Sequence, residues 1–274
     1  MTNLSPSLDQ KLSDLGDVLN EYTYPKDYHD AMQYLVVLLA TAGVTIIGLS
    51  FAYGIMNNQW MQLPICIGLS LPFLGGGFLL FQKAKHDKKL RFFVHEHGFV
   101  HKTYKQTSIV RWDEVKDFWL QFKKITSRST QGPLTLTKTF YKISGDLVTE
   151  EGSAIKFKHA GGDIENFGHL IEQLNQKIIF ERKVPQYEAM LAKGEAVQFN
   201  GLTITAEGFA QPKKTLAWED VDSVNFSLDS FYIEQPGRWG PKVWYHSQLA
   251  KIPNAFAIPP LVTPHVTVND KNAS

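Results

Sequence analysis

Three histidines and one glutamate lie close together in the first polar part of this chain: His95, Glu96, His97 and His101. Alternate residues of a strand share a face, so His95 and His97 have the spacing of two metal ligands. No cysteine stands nearby, His97 falls at an expected turn, and a second, similar stretch has Thr205 and Glu207 at the matching positions. We therefore favour a solvated hairpin over a metal site.

Two acidic pairs, Asp113-Glu114 and Glu219-Asp220, each follow a tryptophan. Neighbouring acids on an extended or turning backbone point apart, so they do not suit general acid-base catalysis, and we expect them to form turns. The sequence also lacks a nucleophile elbow, a phosphate-binding glycine loop and a zinc motif. We expect a non-enzymatic protein with no catalytic residue, no cofactor and no metal, and keep a membrane enzyme with an unrecognised site as an alternative.

A basic cluster is the one group of residues that suggests a ligand. Five cations stand almost together: Lys83, Lys85, Lys88, Lys89 and Arg91. Each such residue near an anionic leaflet contributes about 1 kcal/mol of attraction. We predict that the cluster contacts lipid head groups; the alternative is that it only fixes the orientation of the chain in a membrane.

Two apolar runs precede this cluster, Tyr34 to Met56 and Leu63 to Phe81, and neither contains a charged residue or a histidine. As a helix, the first run would be roughly 34 Å long, enough to cross a hydrocarbon core of about 30 Å. The second run contains Pro64, Pro72 and a glycine triplet at 75–77, which membrane helices tolerate. We predict a transmembrane hairpin. The alternatives are two buried helices of a soluble protein and a re-entrant second run.

The positive charges predict the orientation of this hairpin. The loop between the runs, Asn57 to Gln62, is uncharged, whereas the basic cluster follows the second run. The positive-inside rule then places the N-terminus and the polar part of the chain in the cytoplasm, on a two-span protein of the cytoplasmic membrane. A net charge of +1 gives no reason to expect nucleic-acid binding, and the single cysteine, Cys66, excludes a disulfide framework.

The polar part of the chain contains an internal repeat. The stretch from Phe92 to Phe99 matches that from Leu202 to Phe209, since both end in Gly-Phe. A strand ending in Trp112 or Trp218 follows in each copy, with the acidic pair and a valine behind it. A duplicated unit is the simplest explanation. We expect a glycine with positive φ at each first turn, Gly98 and Gly208.

A helix closes the first copy. It should begin at Asp163 as N-cap and end before Pro185, with an apolar stripe formed by Ile164, Phe167, Ile171, Leu174 and Ile178. The second copy has room for only a turn or two of helix, so its completeness is left open. We divide the chain into a tail with a short amphipathic helix (1–32), the transmembrane hairpin (33–82), a first unit (90–184) and a second unit (185–274).

These features resemble two families. The Gly-Phe hairpin, the Trp112-to-Val115 segment and the two-span anchor resemble bacterial pleckstrin-homology-like membrane proteins. The C-terminal half is similar to an uncharacterised family that has a tryptophan-rich hairpin and an Ile-Pro-Asn segment. The matching residues are Gly208, Trp218, Asp220, Val221, Trp239, Trp244, Ile252, Pro253 and Asn254. The resemblance implies an α+β fold with membrane helices, in which two antiparallel β-barrel or β-sandwich units follow the hairpin. It implies no catalytic residue and no ligand.

We therefore expect a membrane-tethered binding or scaffold module that recognises a protein partner or lipid head groups. An accessory subunit of a transport or channel complex is the alternative, although uncharged spans offer no site for an ion relay. The aromatic residues Phe231, Trp239, Trp244 and Tyr245 either line an exposed groove or, as we favour, pack in the core. The N-terminal leucines, from Leu8 to Leu19, form a stripe that we expect to pack on the polar units.

Overall fold

The protein has an α+β fold in which a pair of long apolar helices is joined to four small sheets. The computed structural model describes residues 8–57, 60, 63–131, 134–152, 154–160, 165–227 and 229–270. The two apolar helices are α2 (Lys26–Asn57) and α3 (Leu63–Asp87), and the short helix α1 (Leu8–Ser13) precedes them.

The first unit consists of two antiparallel sheets. The strands of its first sheet are β1 (Val18–Thr23), β2 (Arg91–His95), β3 (Gly98–Lys102) and β4 (Thr107–Arg111), paired in that order. The strands of its second sheet are β5 (Val115–Gln131), β6 (Leu134–Thr149) and β7 (Ala154–Ala160). A 3-10 turn, Trp112–Glu114, connects the two sheets.

The second unit repeats this plan. Its first sheet contains β8 (Val197–Phe199), β9 (Leu202–Ile204), β10 (Gly208–Gln211) and β11 (Lys214–Ala217). After the 3-10 turn Trp218–Asp220, its second sheet contains β12 (Ser223–Phe226), β13 (Ser230–Gln235) and β14 (Lys242–Gln248). The final strand β15 (Val268–Asp270) adds to β12 in parallel.

Each copy ends in a helical segment that begins after an asparagine in the left-handed region. In the first copy, Asn166 has φ 54° and precedes α4 (Phe167–Leu174). In the second copy, Asn254 has φ 53° and precedes a 3-10 turn, Ala255–Ala257, and α6 (Ile258–Val262). The second copy therefore has the short closing helix for which the sequence left room.

The apolar helices are inserted into the first turn of the first unit. Thr23 at the end of β1 is the register partner of Arg91 at the start of β2, and α2 and α3 lie between them in the chain. In the second unit, the equivalent strands are joined by the turn Asn200-Gly201, and both turn residues have positive φ. The N-terminal tail thus supplies the first strand of the sheet that continues after the hairpin. No pattern in the sequence predicted this strand.

No sheet closes into a barrel within the described part of the chain, so the barrel alternative is wrong. β4 pairs only with β3, and β5 pairs only with β6, because the 3-10 turn between them redirects the backbone. The described strands therefore form four open sheets. Their inward side chains form one apolar core that includes residues of both units, among them Phe92, Phe209 and Ile252.

The predicted end of the closing helix is also wrong. The helix does not end before Pro185: α4 continues as a π-helix (Asn175–Lys183) and then as α5 (Val184–Ala192). Pro185 lies where the π-helix passes into α5. The predicted cap Asp163 lies outside the described residues.

Gly98 is needed for close packing rather than for a positive φ. A Cβ atom at this position would collide with Leu15 and would meet the carbonyl oxygen of Val110 at 2.5 Å. Leu15 is fully buried against Gly98, so this leucine of the N-terminal stripe packs on the first unit as predicted, whereas Leu19 belongs to β1 and is exposed. Gly208, in contrast, does have a positive φ, of 152°.

Candidate membrane-proximal site

The five basic residues predicted from the sequence lie where α3 meets the first sheet. Lys83 and Lys85 belong to the last turns of α3, Lys88 and Lys89 to the turn that follows, and Arg91 begins β2; all five are exposed. Two of them also have acidic partners, since Lys83 Nζ lies 3.6 Å from Asp87 and Arg91 donates to Glu21 at 2.7 Å.

Aromatic side chains pack around the same junction. The ring of Tyr28, near the start of α2, stacks on Tyr24 with centroids 4.9 Å apart, and its hydroxyl donates to Asp87 Oδ2 at 2.7 Å. On the other side of α3, His86 stacks on Tyr104 at 4.1 Å, and Lys89 Nζ lies 4.9 Å from the centre of the Tyr104 ring. We call the four aromatic residues, Tyr24, Tyr28, His86 and Tyr104, the aromatic collar.

A pocket of about 450 Å³ opens beside this collar. Its walls are formed by Tyr24, His86, Asp87, Leu90, Thr103, Tyr104 and Lys105. The last three residues belong to the turn between β3 and β4, which is closed by a hydrogen bond from Thr103 N to Gln106 O at 2.8 Å. The pocket thus joins the end of an apolar helix to a turn of the sheet, and we call it the collar pocket.

A second group of charged residues lies at the opposite end of the first sheet. Arg111 binds Asp113 through two hydrogen bonds of 3.0 and 2.9 Å, and this guanidinium lowers the pKa of the Asp113 carboxyl. Lys183, at the end of the π-helix, is 9% exposed, and burial lowers the pKa of its ammonium group. Lys183 and Asp113 both line a groove of about 460 Å³. The groove holds paired charges of both signs and shows no preference for one class of ligand.

Residues 6–270 match a family described as "Family of unknown function (DUF6585)". The match covers nearly the whole chain, from α1 to β15. The chain belongs to this family. No curated protein matches it.

The histidines of this DUF6585 chain are not brought together. His95 is buried, with its Nδ1 3.0 Å from the carbonyl oxygen of Gly16, whereas His101 is buried against Phe92, with ring centroids 4.6 Å apart. His97 is exposed. Among the described residues no group of histidine, cysteine or acidic side chains has the arrangement of a metal site.

Both acidic pairs lie in turns, as the sequence predicted, since they belong to the 3-10 turns Trp112–Glu114 and Trp218–Asp220. Glu114 also accepts a hydrogen bond from Arg111 N at 3.2 Å. The tryptophan of each turn donates to a backbone carbonyl: Trp112 Nε1 to Glu96 O at 3.1 Å, and Trp218 Nε1 to Ala206 O at 2.8 Å. Each acceptor lies two residues before the glycine of its copy, so the same contact stabilises both copies of the DUF6585 repeat.

The aromatic residues of the second unit do not form one groove. Phe231 and Trp244 are buried in the core, whereas Trp239 is 91% exposed at the loop between β13 and β14. The favoured core interpretation is therefore confirmed for Phe231 and Trp244 and wrong for Trp239.

The basic cluster of this family member is visible in its sequence, whereas the collar pocket is not. Tyr104 and Lys105 lie in a short turn with no distinctive pattern, and they reach α3 only because β3 and β4 pair as they do. Two tyrosines shortly before the first apolar run, Tyr24 and Tyr28, were the available signal, since tyrosine is enriched at membrane interfaces.

Proposed function

We propose that this protein is a non-enzymatic binding module tethered to the cytoplasmic membrane by α2 and α3. The two units recognise a protein partner or the head groups of anionic lipids. One observation supports this proposal above the others: the apolar helices are inserted in a turn of the first sheet, so helices that span a membrane would hold the first unit directly at its surface.

The helices themselves suit a membrane better than a soluble core. Both are long and apolar enough to cross a bilayer, and only 6% and 11% of the residues in their most apolar windows are buried. Where they meet, small residues allow close approach: Gly43 packs under Leu74, and Gly77 faces Leu39. Such contacts are typical of helix pairs in lipid. The remaining apolar side chains, such as Leu49 and Leu79, point outward.

The pairing of β1 with β2 also favours two complete crossings. The chain must leave and re-enter the first sheet on one side of the membrane, because Thr23 and Arg91 are register partners. If α2 crossed the membrane and α3 only re-entered it, β1 and β2 would lie on opposite sides of the membrane and could not pair. With the basic cluster at this end, the positive-inside rule places both units in the cytoplasm.

The plan of each unit supports the pleckstrin-homology-like part of the proposal. In both copies a four-stranded antiparallel sheet comes first, strands of a second sheet follow, and a helical segment closes the copy. This is the arrangement that the repeated Gly-Phe and tryptophan motifs imply.

Cysteine labelling tests the topology. After Cys66→Ser, a cysteine introduced by Asn57→Cys at the end of α2 should react with a membrane-impermeant maleimide in intact cells. A cysteine introduced by Thr215→Cys in β11 should react only after lysis. Labelling of both positions in intact cells, or of neither before lysis, would contradict the proposed orientation.

Charge reversal tests the lipid version. Converting Lys83, Lys85, Lys88 and Lys89 to Glu should abolish the enrichment of phosphatidylglycerol over phosphatidylcholine around the full-length protein in mixed nanodiscs. Since each lysine contributes about 1 kcal/mol near an anionic leaflet, the preference should fall by more than about tenfold. Lipid composition is measured by mass spectrometry after purification.

The matched control reverses four exposed lysines far from the collar in sequence, Lys193, Lys213, Lys242 and Lys251. This variant changes the net charge equally and should keep the enrichment. If the variant with the reversed basic cluster also keeps the enrichment, the cluster does not recognise anionic lipid, and a protein partner is left as the ligand.

A further inference from the structure

We propose that the collar pocket binds the phosphate-bearing head group of one anionic lipid, with Lys105 as the cation of its lining and Lys89, held over the Tyr104 ring, as a cation beside it. This inference rests on the proposed membrane tether and names the ligand of its membrane-proximal site.

The position of the pocket suits a lipid head group. His86, Asp87 and Leu90 come from the end of α3 and the turn after it, immediately beyond the last apolar residues of this helix. Tyr24 comes from the segment that leads into α2. The pocket therefore lies at the level where the chain leaves the membrane, and its volume of about 450 Å³ is typical of sites for small molecules.

The cations of the pocket are available for a phosphate. Lys105 is exposed, and within the described part of the chain its ammonium group has no acidic partner within 4.0 Å. Lys89 is held over the Tyr104 ring, with its Nζ 4.9 Å from the ring centre. Lysines bind phosphate as point charges.

The single acid of the pocket does not oppose an anion strongly. Asp87 accepts a hydrogen bond from Tyr28 and lies 3.6 Å from Lys83 Nζ, so its charge is already compensated. The apolar part of the lining, Leu90 with the rings of Tyr24 and Tyr104, offers a surface for the glycerol part of a lipid whose phosphate lies near Lys105.

The second unit supplies an internal control. Its equivalent turn, between β10 and β11, contains Pro212 and Lys213, and no apolar helix is inserted next to it. Lys213 is exposed like Lys105. A general attraction of lysines to anionic lipid would depend on Lys105 and Lys213 alike, whereas binding in the collar pocket would depend on Lys105 and not on Lys213.

The test is native mass spectrometry of the full-length protein in mild detergent during titration with phosphatidylglycerol or phosphatidylcholine. Lys105→Glu should weaken binding of the first phosphatidylglycerol by about tenfold, which corresponds to one lost charged contact. Tyr104→Ala should weaken it in the same direction, Lys213→Glu should leave it unchanged, and phosphatidylcholine should bind less tightly to every variant.

Two outcomes overturn the inference. Equal binding of phosphatidylglycerol to the Lys105→Glu variant and the unchanged protein would show that the pocket does not hold the head group. Displacement of the lipid by millimolar glycerol phosphate, with equal dependence on Lys105, would show that the ligand is a soluble phosphate ester. The cysteine-labelling experiment decides the membrane tether separately, so a failure of the pocket leaves that result intact.

Discussion

Replacing residues 24–90 by Asn-Gly is expected to convert this protein into a water-soluble one that keeps both units folded. The replacement removes α2 and α3 and joins β1 to β2 by the turn that the second unit uses between β8 and β9. Thr23 and Arg91 are register partners in the first unit, as Phe199 and Leu202 are in the second, so the two-residue turn fits without moving either strand. Asn-Gly is the preferred pair where both turn residues need positive φ.

The reason for expecting a stable product is that the core lies outside the deleted segment. Apart from Leu90 and Tyr24 at its edges, the described residues of the deleted segment add no hydrophobic side chain to the apolar core, whereas β1 supplies Tyr22, which is 4% exposed. The hydroxyl of Tyr22 lies 2.8 Å from His169 Nδ1 and so links β1 to the closing helix. Size-exclusion chromatography without detergent and circular dichroism should show a monodisperse protein that unfolds cooperatively.

The matched control is a chain that begins at Arg91 and therefore lacks β1 as well as the hairpin. It leaves β2 as an unpaired edge and removes Leu15 from its position against Gly98. Exposed edges promote aggregation, so this shorter chain should aggregate or unfold at a much lower temperature. If the two proteins have the same aggregation state and the same unfolding temperature, β1 does not belong to the first sheet, and the apolar helices are not inserted between β1 and β2.

The contrast between these two designs shows what the sequence predicts and what it does not. The repeat was evident because Gly-Phe and tryptophan-acid motifs recur with little change in spacing. The strand β1 was not evident from the sequence, because its partner β2 lies beyond two apolar runs. In addition, its six residues, Val-Leu-Asn-Glu-Tyr-Thr, show no alternating pattern of apolar and polar side chains. Long-range pairing of a short polar strand has no local signal.

The same limit applies to the candidate site. The basic cluster is visible because its cations follow an apolar run directly. The collar pocket needs the turn at Thr103–Lys105 to reach α3, and that approach depends on the register of β2 with β3. The Ile-Pro-Asn segment was likewise noticed as a motif, but its role requires the structure.

Asn254→Ala is expected to lower the free energy of unfolding more than any other single substitution proposed for this protein. Asn254 is 2% exposed and joins the second unit to strand β5 of the first. Its backbone N–H donates to Phe118 O at 2.8 Å, and its Oδ1 accepts from Phe118 N at 3.0 Å. The residue thus pairs with Phe118 as a neighbouring strand would, at an edge of β5 that has no strand partner among the described residues.

The amide nitrogen of Asn254 adds contacts that only an asparagine makes. Its Nδ2 lies 3.3 Å from Lys116 O, 3.3 Å from Asp117 Oδ1 and 3.1 Å from the hydroxyl of Tyr187. In the alanine variant the buried N–H of Phe118 loses its acceptor, which costs about 1–3 kcal/mol. The left-handed φ of 53° costs alanine roughly another 1–2 kcal/mol. We expect a total near 4 kcal/mol, or a fall of about 8–16 °C in the midpoint of unfolding.

Two further variants separate these causes. Asn254→Gly removes the side chain, but glycine adopts a positive φ without strain. The glycine variant should therefore be more stable than the alanine variant by the conformational cost alone, about 1–2 kcal/mol. Asn166→Ala tests that part alone, because Asn166 has nearly the same φ, is exposed and makes no capping hydrogen bond. Thermal unfolding of the full-length protein in one detergent compares all three. Equal losses for Asn166→Ala and Asn254→Ala would show that the hydrogen bonds to β5 contribute nothing. A much larger loss at Asn254 would instead show that the hydrogen bonds between this buried amide and β5 add to the shared apolar core in holding the Ile-Pro-Asn segment of the second unit against the first.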